Sequence, residues 1–93
     1  MKIAFRPLAR SDLQEIGDLI ARDSPANASA FVRRLRLKVA RLADLPERGR
    51  VRPEFGANVR SISFEGRVTI PYLVEDQTIV ILRVLYAGRD FEA

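Results

Sequence analysis

Hydrophobic positions along this chain change their spacing twice. In "KIAFRP" they alternate with other residues, placing Ile3 and Phe5 on one side until Pro7 ends the run, which predicts a short strand. From residue 8 or 11 to about 22, Ala9, Leu13, Ile16 and Ile20 recur at helical spacing. Ser11 followed by Gln14 resembles a capping box, and Asp12, Glu15 and Asp18 are assigned to the wet face of this helix. In "DSPANA", Ser24 suits a helix cap and Pro25 the first helical position. The second helix carries one apolar stripe, Ala28, Phe31, Leu35, Val39 and Leu42, running to about Leu45. So short a connection makes the two helices an antiparallel hairpin.

Pro46 and Gly49 stop the second helix, and "PERGRVRPEFGAN" reads as a loop with room for one short strand near Val51. From Asn58 the period falls to two. "VRSISF", "RVTIPYLVE" and "TIVILRVLY" predict three strands, joined by "EGR" and "EDQ" as hairpins. Pro71 predicts a bulge or an interrupted ladder in the middle run. The last run is apolar on both faces apart from Arg83, which marks a central strand. Alternation groups Arg83 with Ile79, Ile81 and Leu85, so its guanidinium is expected to be partly buried and paired. Strand, helix, helix, then three or four mainly antiparallel strands is a two-layer α+β arrangement, the helix hairpin covering one face of the sheet. Phe31, Leu35 and Val39 are expected to pack on Val68, Ile70, Ile81 and Leu85. At this length, residues 1–93 are expected to form a single domain.

Composition narrows the chemistry. The chain has no cysteine and no histidine, which removes disulfides, thiolate nucleophiles, the usual zinc ligand sets and the commonest general base. No metal or cofactor is expected. No stretch resembles a signal peptide or a membrane span, so the chain reads as cytoplasmic, with no membrane partner. The net charge of +4 and a pI near 10.3 come almost wholly from arginine and favour acidic partners. Glu54, Glu65, Glu75 and Asp76 lie in loops or turns, where carboxylates are ordinarily solvated, and none has metal-ligand spacing. The run "RRLRLKVAR" reads as the solvated side of an amphipathic helix, with phosphate contact as the alternative. Arg48, Arg50, Arg52, Arg60, Arg67, Arg83 and Arg89, with Tyr72 and Tyr86, form either a basic sheet face suited to RNA or a set of satisfied surface arginines.

The order of these elements and several phrases resemble the RelE/ParE superfamily of toxins from type II toxin–antitoxin systems. The resemblance covers nearly the whole chain. Its signposts are the Ser-Pro opening the second helix, the "LP…GR.RPE" loop, the "VRS" strand, the Tyr72 strand and the closing "ILRVLYAGRD". It implies a β-α-α-β-β-β fold and one of two activities. RelE-like members cleave messenger RNA on the ribosome with a set of basic residues on the sheet and a tyrosine near the C-terminus; ParE-like members inhibit DNA gyrase by binding it. Thr69 stands where the first group carries an arginine, and serines flank Arg60 at outward positions of its strand. This favours the ParE-like branch, with no catalytic residue. The resemblance then implies a ParD-like antitoxin as partner, gyrase as target, and DNA contact only through the antitoxin. Arg60, Tyr86, Arg89 and Asp90 become candidate target-docking residues. Arg48, Arg50, Arg52 and Arg83 become candidate contacts to the antitoxin or another acidic partner. The alternatives are a RelE-like endonuclease and a non-toxic member that only binds antitoxin.

Overall fold

Alternation in the strands turns their apolar sides toward one face of a single sheet, and the helix hairpin closes that face. The computed structural model describes residues 1–86. β1 (Lys2–Phe5) leads into α1 (Pro7–Ala21) and α2 (Pro25–Ala40). The remaining strands are β2 (Arg50–Val51), β3 (Arg60–Phe64), β4 (Val68–Glu75), β5 (Thr78–Ile81) and β6 (Leu85–Tyr86). Their spatial order is β1-β5-β4-β3-β2, with β1 parallel to β5 and the other pairs antiparallel. β6 continues beyond β5 along the same side of β4.

Local chemistry explains the helix boundaries. Pro7 opens α1, where its missing N–H would have had no helical partner. The capping box expected at Ser11 is therefore not formed: the helix has already started, and its cap residue Arg6 contributes no side-chain hydrogen bond. At α2 the expected cap is present, with the Ser24 hydroxyl accepting from the Asn27 N–H at 3.2 Å. α2 stops as an α-helix at Ala40 rather than near Leu45. The chain tightens into a 3-10 turn over Arg41–Ala43, which keeps Leu42 fully buried. The β3–β4 turn places Glu65 and Gly66 at positive φ, and the β4–β5 turn does the same with Asp76 and Gln77, the backbone that tight hairpins require.

The last strand departs from expectation for a reason visible in its neighbour. The Leu82 N–H donates to the Pro71 carbonyl at 2.9 Å, but proline has no N–H to return the bond. β5 ends at Ile81, and pairing resumes only where Leu85 meets Thr69. Between them the alternation slips. Val84 enters the core at 2% exposure, and Leu85, which was expected to pack under α2, pairs with Thr69 on the opposite face of the sheet. The rest of the expected packing is present: Phe31, Leu35 and Val39 share one core with Val68, Ile70 and Ile81. Phe31 meets Phe64 edge to face at 5.4 Å between ring centroids.

Candidate functional site

The loop between α2 and β3 is held from beneath by two side chains of the sheet. Tyr72, on the helix-facing side of β4, is fully buried. Its hydroxyl donates to the Pro46 carbonyl at 2.7 Å and accepts from the Gly49 N–H at 2.9 Å. Arg60, directly across the ladder from Tyr72, donates to the carbonyls of Glu47 and Gly49 at 3.2 and 2.9 Å. Gly49 is itself buried, and a Cβ added there would stand 2.5 Å from the Tyr72 hydroxyl and 2.9 Å from the Ser61 carbonyl. Only glycine fits this approach. Burial pushes the Tyr72 phenol above its ordinary pKa, against the opposing pull of the Gly49 N–H and of the Arg60 and Arg48 charges. A phenol raised on folding stabilises the fold fully below its unfolded pKa, roughly 10, and loses that contribution as pH rises through the folded value. Urea unfolding followed at increasing alkaline pH is expected to show this decline, and Tyr72→Phe to remove it. An unchanged pH profile in that variant would place the loss elsewhere.

A second cluster joins the helices to the broken strand. Arg83 donates to both carboxylate oxygens of Asp12, at 2.7 and 3.0 Å, and the Val84 N–H donates to the same group at 2.9 Å. Arg83 is thus partly buried and paired, as the sequence implies. Asp12, assigned to the wet face, is instead buried. The missed signal is its spacing: Ala9, Asp12, Leu13 and Ile16 follow the i, i+3, i+4, i+7 rule, so the carboxylate belongs to the apolar stripe.

The arginines do not assemble on the open face of the sheet. That face, away from the helices, is built by strand register from Ser61, Ser63, Thr69, Pro71, Leu73, Thr78, Val80 and Leu85, with Ala4 and Glu75, and with Lys2 on β1 and Arg50 on β2 at its two edges. Arg60, Tyr72 and Tyr86 fall on the helix-facing side instead. Among the described residues, Arg52 borders the open face, donating to the Ser61 hydroxyl at 2.8 Å while bonding Glu54 at 3.0 Å and lying over the Phe55 ring. Backbone and Arg52 hydrogen bonds hold the Glu54 carboxyl below its usual range. The described residues therefore bring Arg50 and the neighbouring Arg52 to one edge of this face without the interleaved tyrosines, and Arg52, Arg60 and Arg83 are satisfied within the chain.

The docking candidates are also separated. Arg60 faces Tyr72 on β4 and Tyr86 faces Val68, four positions along the strand, or roughly 13 Å at the rise of an extended chain. Tyr86 packs half-buried against the core, beside Phe31 and the bidentate Arg34–Glu65 ion pair at 2.7 and 2.9 Å. The Arg34 hydrogen bonds keep the Glu65 carboxyl below its ordinary range. Arg89 and Asp90 lie outside the described residues. Arg48 and Arg50 are exposed and form no ion pair among the described residues, whereas Arg52 and Arg83 each hold an acid of this chain.

On the far side of the molecule, α1 and α2 form a shallow groove. Its floor is small and apolar (Leu13, Gly17, Ala21, Ala28, Val32), and Arg10, Arg33 and Arg36 stand along its rim. The run "RRLRLKVAR" is the solvated side of α2 as its spacing implies, with Arg33, Arg34, Arg36 and Arg41 exposed over buried Leu35, Val39 and Leu42, and it also supplies a wall of this groove and the exposed Arg34 ion pair. Among the described residues there is no cluster of acids suited to a metal ion, and no helix is long and apolar enough to cross a membrane.

Three comparisons with known proteins bear on the chain's family. A family model described as the ParE toxin of the type II toxin–antitoxin system parDE matches residues 3–91. "Toxin RelE2" of Caulobacter vibrioides (strain ATCC 19089 / CIP 103742 / CB 15) is 35% identical over 81 residues, covering 87% of this chain and 89% of that protein. A solved structure titled "Chromosomal ParDE TA system from P. aeruginosa" aligns with a TM-score of 0.80 at 26% identity, covering 95% of this chain and 97% of that one.

Proposed function

Because the chain belongs to the ParE toxin family of type II toxin–antitoxin systems, we propose that it acts in the cytoplasm by binding and inhibiting DNA gyrase, and is held inactive by a ParD-like antitoxin. The observation that supports binding over catalysis is the open sheet face. Cleavage of RNA through its 2′-oxygen requires cations at the phosphorane and a group to take up and return protons. Here the middle of that face offers hydroxyl and aliphatic groups, with Lys2 and Arg50 on its two edge strands, Arg60 is directed to the backbone of its own loop, and Tyr86 stands at the other end on the opposite face. One finding favours the endonuclease reading, the kinship to a protein named as a RelE toxin.

The helix-hairpin groove supports the antitoxin half of the proposal. An amphipathic helix laid there would bury its apolar stripe on Leu13, Gly17, Ala28 and Val32 and set carboxylates against Arg10, Arg33 and Arg36. A partner that orders on binding carries the neutralising charge, and DNA is reached only through it. On the target side, Tyr86 with Arg89 and Asp90 remains the proposed terminal docking segment.

Expression of the chain alone is expected to arrest growth, and co-expression of the neighbouring antitoxin gene to relieve the arrest. Purified protein should inhibit supercoiling by gyrase, while primer extension on translated messages shows no new ends. Arg89→Ala should weaken the arrest without loosening antitoxin binding. Specific message cuts at the ribosomal A site, with supercoiling untouched, would select the endonuclease instead.

A further inference from the structure

We infer that the loop from Leu45 to Val51 is a preformed docking element for the acidic surface of a folded protein target, with Tyr72 and Arg60 as its positioning residues. The inference rests on the reading that this protein acts by binding. Four hydrogen bonds from two side chains fix the backbone of Pro46, Glu47 and Gly49, and the Arg48 N–H closes a turn on the Leu45 carbonyl at 3.0 Å. A connection between a helix and an edge strand needs no such anchoring. Surface loops are ordinarily the mobile parts of a fold, and this one is bolted to the central sheet through a fully buried tyrosine.

What the loop presents agrees with a protein partner. Leu45 and Val51 are 55% and 54% exposed, among the most exposed large aliphatic side chains of the described residues. Between them in the chain stand Arg48 and Arg50, exposed and without an ion pair among the described residues; on the edge strand β2 Arg50 lies on the Ser61 side and Val51 on the Arg60 side, so the strand presents both along its rim. Aliphatic contact area beside planar, permanently charged donors suits carboxylates on a surface with an apolar hollow. Nucleic acid would take the cations but leave Leu45 and Val51 in water. Rigidity argues further for a folded target rather than a segment that orders on binding, since a preformed loop lowers the ordering cost on this side of the interface. The groove between the helices, with its own three arginines, is the separate surface for an antitoxin helix.

The test pairs a charge reversal on the loop with removal of its lock, in toxin released from its antitoxin complex. Arg48→Glu with Arg50→Glu is expected to lower gyrase inhibition and growth arrest by about tenfold or more, the range of an interface hot spot. Antitoxin affinity should stay within about threefold, roughly half a tenfold step in free energy. Tyr72→Phe should lower the same two activities severalfold and add nothing in the charge-reversed background, because a lock matters only while the loop carries its contacts. Additive losses in that cycle would reduce Tyr72 to general stability and overturn the positioning role. Unchanged inhibition and arrest by the charge-reversed protein, with wild-type protein inhibiting gyrase, would overturn the docking element and leave the gyrase reading standing. Loss of arrest on charge reversal, when wild-type protein leaves gyrase untouched, would uphold the loop and discard gyrase as its target. A parallel fall in antitoxin affinity, or loss only of binding to a labelled DNA duplex, would assign the loop to those partners and overturn the inference.

Discussion

Replacing Asp12 with alanine is expected to destabilise the fold by about 3–5 kcal/mol, the range for removing one partner of a buried ion pair. Two groups lose this carboxylate together. Arg83, with its side chain 18% exposed, keeps its charge at any accessible pH, and the Val84 N–H is left without the carboxylate that receives it. The position matters as much as the pair. Pro71 has already broken the ladder between β5 and β6, so Asp12 replaces the missing sheet contact and steers Val84 into the core. Urea unfolding of Asp12→Ala beside the wild type measures the loss. Asp12→Asn keeps the shape and an acceptor and should fall between them. Replacing both partners with apolar residues of similar volume should be far milder than the single change. A loss for Asp12→Ala below about 1 kcal/mol, the level of an exposed pair, would show that the cluster is wetter than its geometry implies.

The fold was legible wherever a hydrophobic period ran uninterrupted. Ser24 and Pro25 fixed the start of α2, and the Phe31, Leu35, Val39 stripe identified its buried face. Reading failed where one residue's effect falls on a distant neighbour. Pro71 was recognised as a disturbance of β4, yet its missing N–H ends the strand beside it and shifts Val84 and Leu85 between faces. Pattern counting stays within a segment and cannot carry that shift across a ladder. Asp12 failed differently. It sits at stripe spacing, but a carboxylate is assigned to water unless its partner is known, and Arg83 lies 71 positions away in the chain. The candidate site suffered most from this. Arg60 read as a cation available for docking, but it holds a loop backbone; Arg83 read as partly buried and paired, and only its partner, Asp12, was out of reach of the pattern. Gly49 and Tyr72 were each visible, as a stop signal and as a strand aromatic; their contact was not, because 23 residues separate them.

Leu35→Ala is expected to cost about 2–5 kcal/mol, the cavity range for a leucine in a packed core. Leu35 has no exposed surface and lies in the cluster that joins α2 to β3, β4 and β5. Against a total stability on the order of 5–15 kcal/mol, such a loss leaves the isolated variant marginal near growth temperature. Binding changes the outcome. A partner that recognises only the folded chain adds about 2.7 kcal/mol at one hundred times its dissociation constant. Co-expressed with its antitoxin, the variant should therefore recover much of its folded population, whereas alone it should melt early and arrest growth weakly. Leu37→Ala is the control. It removes the same side chain two positions along the helix, at 61% exposure, and should change stability by under about 0.5 kcal/mol. Chemical unfolding of both variants, with and without antitoxin, decides the matter. Equal losses at the two positions would mean that α2 turns a different face to the sheet. A loss at Leu35 that antitoxin does not offset would mean that the partner does not depend on the hairpin this residue anchors.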